Sequence, residues 1–474
     1  MSTTDVTRDE RVRLRRALSV TKAQEISEKQ KKERQAQPDQ PCHVPRDSLL
    51  SSSSGYTNYR GLLNLCIVLL ILSNSRVALE NIIKYGILVD PIQILKIFVH
   101  RPSKSPTVLL LLGLNIFILG SLLIELMMAK EKIKEEKGRL ITVAHLSALI
   151  VLPPIFVYIL DCHPVAASIL MGEVSIIFLK LVSYHMVNYW CRKSQKTITN
   201  RTRGRSYTAV GESIDYLNGD SSDSKSSLVH YPDNLTVKDL YYFMFAPTLC
   251  YELNFPRSDR IRKRFLIKRL LEMFILIQVI LALIQQWMVP IVNNSFKPLQ
   301  EMKISHVIER LLKLAVPNHF IWLLFFYWLF HSCLNSFAEI LRFADRQFYR
   351  DWWNAESINQ FWRNWNIPVH QWCVRHLYKP LLVQGFSKLQ ANIAVFVVSA
   401  FFHEYLVSFP LKMFRSWAFF GMLSQVPFAL VISRYLHKDY GNMAVWVSLI
   451  IGQPLCILAY YHDYYVIHYN ETTT

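Results

Sequence analysis

NIAVFVVSAFFHEYLVSFP, residues 392–410, is an apolar run of membrane-crossing length. A helix rising about 1.5 Å per residue spans a hydrocarbon layer about 30 Å thick in about 20 residues. Among Asp, Glu, Lys, Arg and His the run holds only His403 and Glu404. Runs of similar length recur on either side, at roughly 61–83, 107–129, 141–161, 165–190, 265–290, 308–338, 414–436 and 442–461. The pattern predicts an all-α polytopic membrane protein with about nine transmembrane helices. With 51% hydrophobic residues and a mean hydropathy of +0.18, a soluble multidomain chain does not fit. The fifth and sixth runs are long enough that they must tilt, bend or project beyond the bilayer. The first is the weakest, because Asn74, Arg76 and Glu80 interrupt its end.

The formal charge of +18 would suggest nucleic acid in a soluble protein. Its placement points to topology instead. Lys and Arg concentrate before residue 50, in Lys130–Arg139, in Arg192–Arg205 and in Arg257–Arg269. With nine spans and a cytosolic N-terminus, each of these clusters falls on the cytosolic side, as the positive-inside rule expects. The C-terminal residues 470–474 are then lumenal. Residues 1–48 read as a disordered cytosolic tail, residues 49–469 as the membrane domain, and residues 192–228 as a flexible cytosolic loop within it. Asn293 should face the lumen, and Asn234 should not. The eight cysteines have no metal-type spacing, and no disulfide framework is expected.

Two strings between spans are unusually aromatic. HYPDNLTVKDLYYFMFAPTLCYELNFPRS, residues 230–258, reads as an interfacial segment with its rings among the headgroups. The cytosolic segment 342–391 contains FYRDWWNAESINQFWRNWNIPVHQW, residues 348–372, too polar to span a bilayer. Helical spacing puts Phe361, Trp362, Trp365 and Val369 on one side, with Pro368 interrupting the helix. An amphipathic helix lying in the interface is the expected form.

His403 would sit about 18 Å into the membrane if its span begins near residue 391. Ionisable groups at that depth are costly and face a protein interior or a watery cavity. A neutral histidine hydrogen-bonded between helices is the alternative, and His331 in FYWLFHSC is a second intramembrane histidine that competes for the role. Gln425, Gln453 and Asn366 are each ordinary helix–helix glue when taken singly. Converging near one histidine, they would supply amide donors for a developing oxyanion. A histidine without a serine or cysteine partner suits general-base work on a substrate hydroxyl. No GxSxG elbow occurs, and His319 in PNHFIWL lacks the Asp of the soluble acyltransferase motifs. His370 and His376 are off the spacing that puts two metal ligands on one helical face, so no metal site is expected.

FYRDWWN (348–354) together with FFHEYL (401–406) resembles the membrane-bound O-acyltransferase superfamily, in its branch of sterol and diacylglycerol acyltransferases. RLLKLAVPNHFIWLLFFYWLFHSCLN and NWNIPVHQWCVRHLYKP extend the similarity, which runs from about residue 48 to 469. The resemblance implies transfer of a fatty acyl group from acyl-CoA, a cosubstrate rather than a cofactor, to the free hydroxyl of diacylglycerol. It implies an endoplasmic reticulum homodimer in which His403 is the general base, no acyl-enzyme forms, and Asn366, Gln425 and Gln453 line the reaction chamber. Glu404 would orient the histidine or supply a hydrogen bond. Trp362, Trp365, Asn366, His370, Tyr378, Lys388 and Ser399 are the implied acyl-CoA contacts, with Lys388 toward a phosphate. Asp351 and Asn354 are expected to fix the fold. A sterol acyltransferase of the same branch, or a lipid transporter or scaffold, are the competing readings.

Overall fold

The computed structural model describes residues 60–92, 106–205, 228–295, 304–436 and 439–470. The expected N-terminal tail and most of the expected loop 192–228 lie outside them. The chain divides into two compact units, one up to Val77 and the other from Ala78 onward. The described part of the first is the beginning of helix α1 (Arg60–Tyr85).

In the second unit the regular secondary structure of the described residues is helical, apart from one isolated β-bridge between Arg257 and Phe343. In chain order the helices are α2 (Pro106–Ala129), α3 (Glu135–Ile159), α4 (Pro164–Arg205) and α5 (Val237–Phe245), followed by α6 (Lys263–Leu283) and α7 (Ile304–Phe326). After these come α8 (Ile358–Trp365), α9 (Ile367–Cys373), α10 (Lys388–Leu411), α11 (Trp417–Leu423), α12 (Gln425–Tyr435) and α13 (Asp439–Asn470). Seven stretches among the described residues are long and apolar enough to cross a membrane, so this is a multi-pass membrane protein. The expected first run is helical as α1 but is not among the seven, and the expected eighth run is two short helices that meet at Ser424. The sequence signal counts apolar residues, and it does not register a break.

The two overlong runs contain π-turns. α6 passes through Ile284–Met288 before a final turn, Val289–Asn293, and α7 passes through Tyr327–Cys333 into Leu334–Ile340. α4 continues through Arg205, so the first part of the expected flexible loop is helical. α2, α3 and α4 pack on one another, α10 lies against α3 and α4, and α13 lies against α7 and α11.

Both aromatic strings turn inward. Tyr231, Leu240, Phe243 and Tyr251 are buried against α2 and α4, so the 230–258 string is a core element rather than a headgroup belt. Thr236 caps the start of α5 by accepting from the Asp239 N–H. The other end of α5 is held by a buried ammonium: Lys180 Nζ donates to the carbonyls of Phe243, Met244 and Ala246 at 2.7–2.8 Å. An ammonium has three donors and no acceptor, so this arrangement saturates it. Asn234 is buried, with its amide donating to Asn188 and Tyr251. The exposed Asn293 is accessible, as a glycan acceptor must be.

The tryptophan segment likewise packs inward. Phe348, Trp352 and Phe361 are buried, and Trp365 stacks face to face on Trp322 of α7 with centroids 4.7 Å apart. Phe326 and Phe330 pack on the same indole. Backbone bonds from Arg350 N–H to the Asn364 carbonyl and from Ile367 N–H to the Phe348 carbonyl tie FYRDWWN to the helix that follows it. Its role in fixing the fold is therefore carried by the backbone and by Trp352. The helix breaks at Asn366, and Pro368 sits in the first turn of α9, where its missing N–H costs nothing.

Candidate active site

α10 begins with a capping box in which Ser387 and Gln390 each accept from the other's backbone N–H. Lys388 is its first residue and is exposed. Toward the other end His403 is exposed on the protein surface, and its Nδ1 lies 2.8 Å from the Ser399 carbonyl one turn earlier. A carbonyl can only accept, so Nδ1 carries the hydrogen and the neutral ring presents a lone pair at Nε2. The backbone thus selects the tautomer, and Nε2 has no protein partner among the described residues. Ser399 contributes its carbonyl here, a role its side chain would not suggest.

Glu404 has the opposite situation. Its carboxylate accepts from the Ser408 hydroxyl, from the Ser416 and Phe419 N–H groups at 3.0 Å and from the Tyr460 hydroxyl at 2.7 Å. Ser416 holds a left-handed conformation, with φ of +59°, just before α11. The negative charge therefore sits at the beginning of α11, where unpaired backbone donors favour it. In this structure the Glu404 carboxylate ties α10 to α11 and α13.

The amide residues follow a common pattern. Asn366 caps α9: its Oδ1 accepts from the Val369 N–H at 3.1 Å, so the amide orientation is fixed by the backbone donor and Nδ2 has no partner among the described residues. Gln453 on α13 accepts at Oε1 from Asn318 of α7 at 3.2 Å, which leaves its own N–H₂ without a partner among the described residues. Gln425 opens α12 and is half-buried. The helices that carry these groups are linked by contact: α8 touches α9 and α12, α12 touches α13, and α11 joins α10 to α13.

His331 is engaged elsewhere, with Nδ1 2.9 Å from the Tyr349 hydroxyl of FYRDWWN. His370 is half-buried on α9, and burial, with Arg363 and Arg350 nearby, holds its ring below the ordinary histidine range. Tyr378 ends a π-turn, Val374–Tyr378, that packs on α10, and Trp362 flanks the aromatic core beside Phe361. No group of three or more His, Cys, Asp or Glu that could hold a metal occurs among the described residues.

Residues 107–462 match the model of the MBOAT, membrane-bound O-acyltransferase family. The chain belongs to the membrane-bound O-acyltransferase family. Within that family it is 54% identical to human diacylglycerol O-acyltransferase 1 over 430 residues, 90% of this chain and 85% of the relative. The Bos taurus protein of that name is 54% identical over 428 residues, again covering 90% and 85%. Diacylglycerol O-acyltransferase 1C of Glycine max is 39% identical over 438 residues, covering 90% and 80%. The match spans α2 to α13, so it includes every helix that carries a candidate site residue of this membrane-bound O-acyltransferase. Asn318, beside His319 in PNHF, is the partner of Gln453, and no local sequence signal marks a bond to a residue 135 positions away.

Proposed function

We propose that this membrane-bound O-acyltransferase is an acyl-CoA-dependent diacylglycerol O-acyltransferase, giving triacylglycerol and CoA. The relatives named above support the acceptor and donor. One observation supports the mechanism: His403, Asn366 and Gln453 are each anchored at one end by the protein and open at the other. The open ends are one base and two amide donors.

His403 Nε2 takes the proton of the acceptor hydroxyl as its oxygen attacks the thioester carbonyl. The resulting oxyanion receives hydrogen bonds from Asn366 Nδ2 and Gln453 Nε2, with Gln425 completing the polar wall. As the carbonyl re-forms, the C–S bond breaks, and the CoA thiolate recovers the proton from His403. The histidine ends neutral, no acyl-enzyme forms, and no net proton enters or leaves. Acyl-CoA reaches the chamber from the cytosolic side, past Trp362, Trp365, His370 and Tyr378, with Lys388 on a phosphate and Ser399 beside the histidine. Diacylglycerol arrives sideways from the bilayer. The enzyme works as a homodimer in the endoplasmic reticulum membrane, with its N-terminus cytosolic and its C-terminus lumenal.

Microsomes carrying the protein, given radiolabelled oleoyl-CoA with either diacylglycerol or cholesterol, test the acceptor. Labelled triacylglycerol is the expected product. Sterol ester without triacylglycerol would overturn the reading.

A further inference from the structure

His319 lies on α7 with 9% of its surface exposed, and neither ring nitrogen has a hydrogen-bond partner among the described residues. Its ring is held between two indoles: Trp322, stacked at 5.2 Å, and Trp446 of α13, edge-on at 5.5 Å. Whichever tautomer it adopts, a neutral imidazole carries one N–H donor and one lone pair. Buried polar groups are normally satisfied, and one that is not calls for a partner from outside the chain.

His319 is linked to the two anchored amides of the site through its neighbours. Asn318, the preceding residue, donates to Gln453. Trp322, one turn on, stacks on the His319 ring and on Trp365, whose next residue is Asn366. His319 precedes Trp322 on α7, so it lies on the side of the Trp322–Trp365 stack away from Ile340, the end that leads into segment 342–391. The proposed acyl-CoA contacts His370 and Tyr378 belong to that segment. Beyond its thioester, the fatty tail of acyl-CoA is hydrocarbon and offers a nitrogen nothing. A glycerolipid offers ester oxygens at membrane depth.

We propose that His319 contacts the acceptor, its ring N–H donating to an ester carbonyl of the bound diacylglycerol and so fixing which oxygen faces His403. This rests on diacylglycerol being the acceptor. Phe at position 319 keeps a ring between Trp322 and Trp446 and removes both nitrogens, whereas Gln keeps a donor and an acceptor. With purified protein in mixed micelles, His319→Phe is expected to raise KM for diacylglycerol about tenfold, the effect of one lost hydrogen bond. KM for oleoyl-CoA and the thermal midpoint should hold, and His319→Gln should recover part of the loss.

A Phe variant with unchanged KM for diacylglycerol would overturn the contact. So would equal increases in both KM values with a lowered midpoint that Gln does not correct, because that pattern marks a packing residue. Wild-type protein is measured first. If it forms no triacylglycerol, the acceptor assignment and this contact fail together, whereas an active wild type with an indifferent Phe variant refutes the contact alone.

Discussion

His403 and Glu404 are adjacent on α10 and belong to two different regions of the molecule. The region around Glu404 is a closed knot: four donors from Ser408, Ser416, Phe419 and Tyr460 use its carboxylate to join α10, α11 and α13. His403, Asn366 and Gln453 are half-open, each side chain tied at one atom and unpartnered at another among the described residues. A saturated buried polar group contributes to stability and has no capacity left for a substrate. A group held at one end is positioned and still able to react. Sequence neighbours can therefore serve structure and chemistry separately, because the helix turns about 100° between them.

Breaking the open region should cost turnover. His403→Gln fills the space without a base, and triacylglycerol synthesis is expected to fall about 10³-fold, within the range for a lost general base. The thermal midpoint in detergent should be unchanged. Asn366→Ser is the sharper probe, since serine caps α9 as asparagine does but has no amide donors. Its expected loss is about 10²-fold in kcat, the size of one oxyanion donor. A fully active Asn366→Ser enzyme would reduce Asn366 to its cap.

Breaking the closed region should instead cost stability. Glu404→Gln leaves part of the donor set unmatched and is expected to destabilise the fold by about 2–3 kcal/mol, read as a lower midpoint. Activity per folded molecule should be retained. A stable Glu404→Gln protein with no turnover would erase the distinction between the two regions.

The smallest effect concerns pH and a third group, outside the spans. His376 is buried, with Nε2 on the Ser183 hydroxyl and its ring stacked on Trp190. Burial, and then the neighbouring Arg375, pushes its pKa down to about 4. The unfolded chain takes up this proton near pH 6.5 and the folded one near 4. Stability linked to neutral His376 is therefore complete above about pH 6.5 and is lost as pH falls toward 4. His376→Gln should flatten that part of a midpoint-versus-pH curve, and an unaltered curve would count against the linkage.

The membrane class was legible in the sequence because its signal is local, an apolar run of fixed length, and so was the presence of His403 and Glu404 inside one such run. The direction of the aromatic rings was not. Trp365 among headgroups and Trp365 stacked on Trp322 have the same spacing and composition, and only the distant partner on α7 separates them. The bonds of Glu404 were hidden for the same reason, since its donors lie up to 56 residues away at Tyr460. The break at Ser424 is hidden because the apolar count continues across it. The capping bond of Asn366 depends on where α8 stops, which a nearby proline does not reveal.

The π-turns at Ile284–Met288, Tyr327–Cys333 and Val374–Tyr378 bear on how such a chain can change length. Each accommodates one residue beyond the usual helical repeat and rotates all that follows by about 100°. Loss of a single residue there leaves an unbroken helix whose far half presents a different stripe of side chains. In α7 that would swing His331 and Ser332 away from Tyr349 and Glu272, their present partners. The extra residue is thus a phase setting, and what it holds in phase is the polar stripe of α7 with the aromatic wedge beside it.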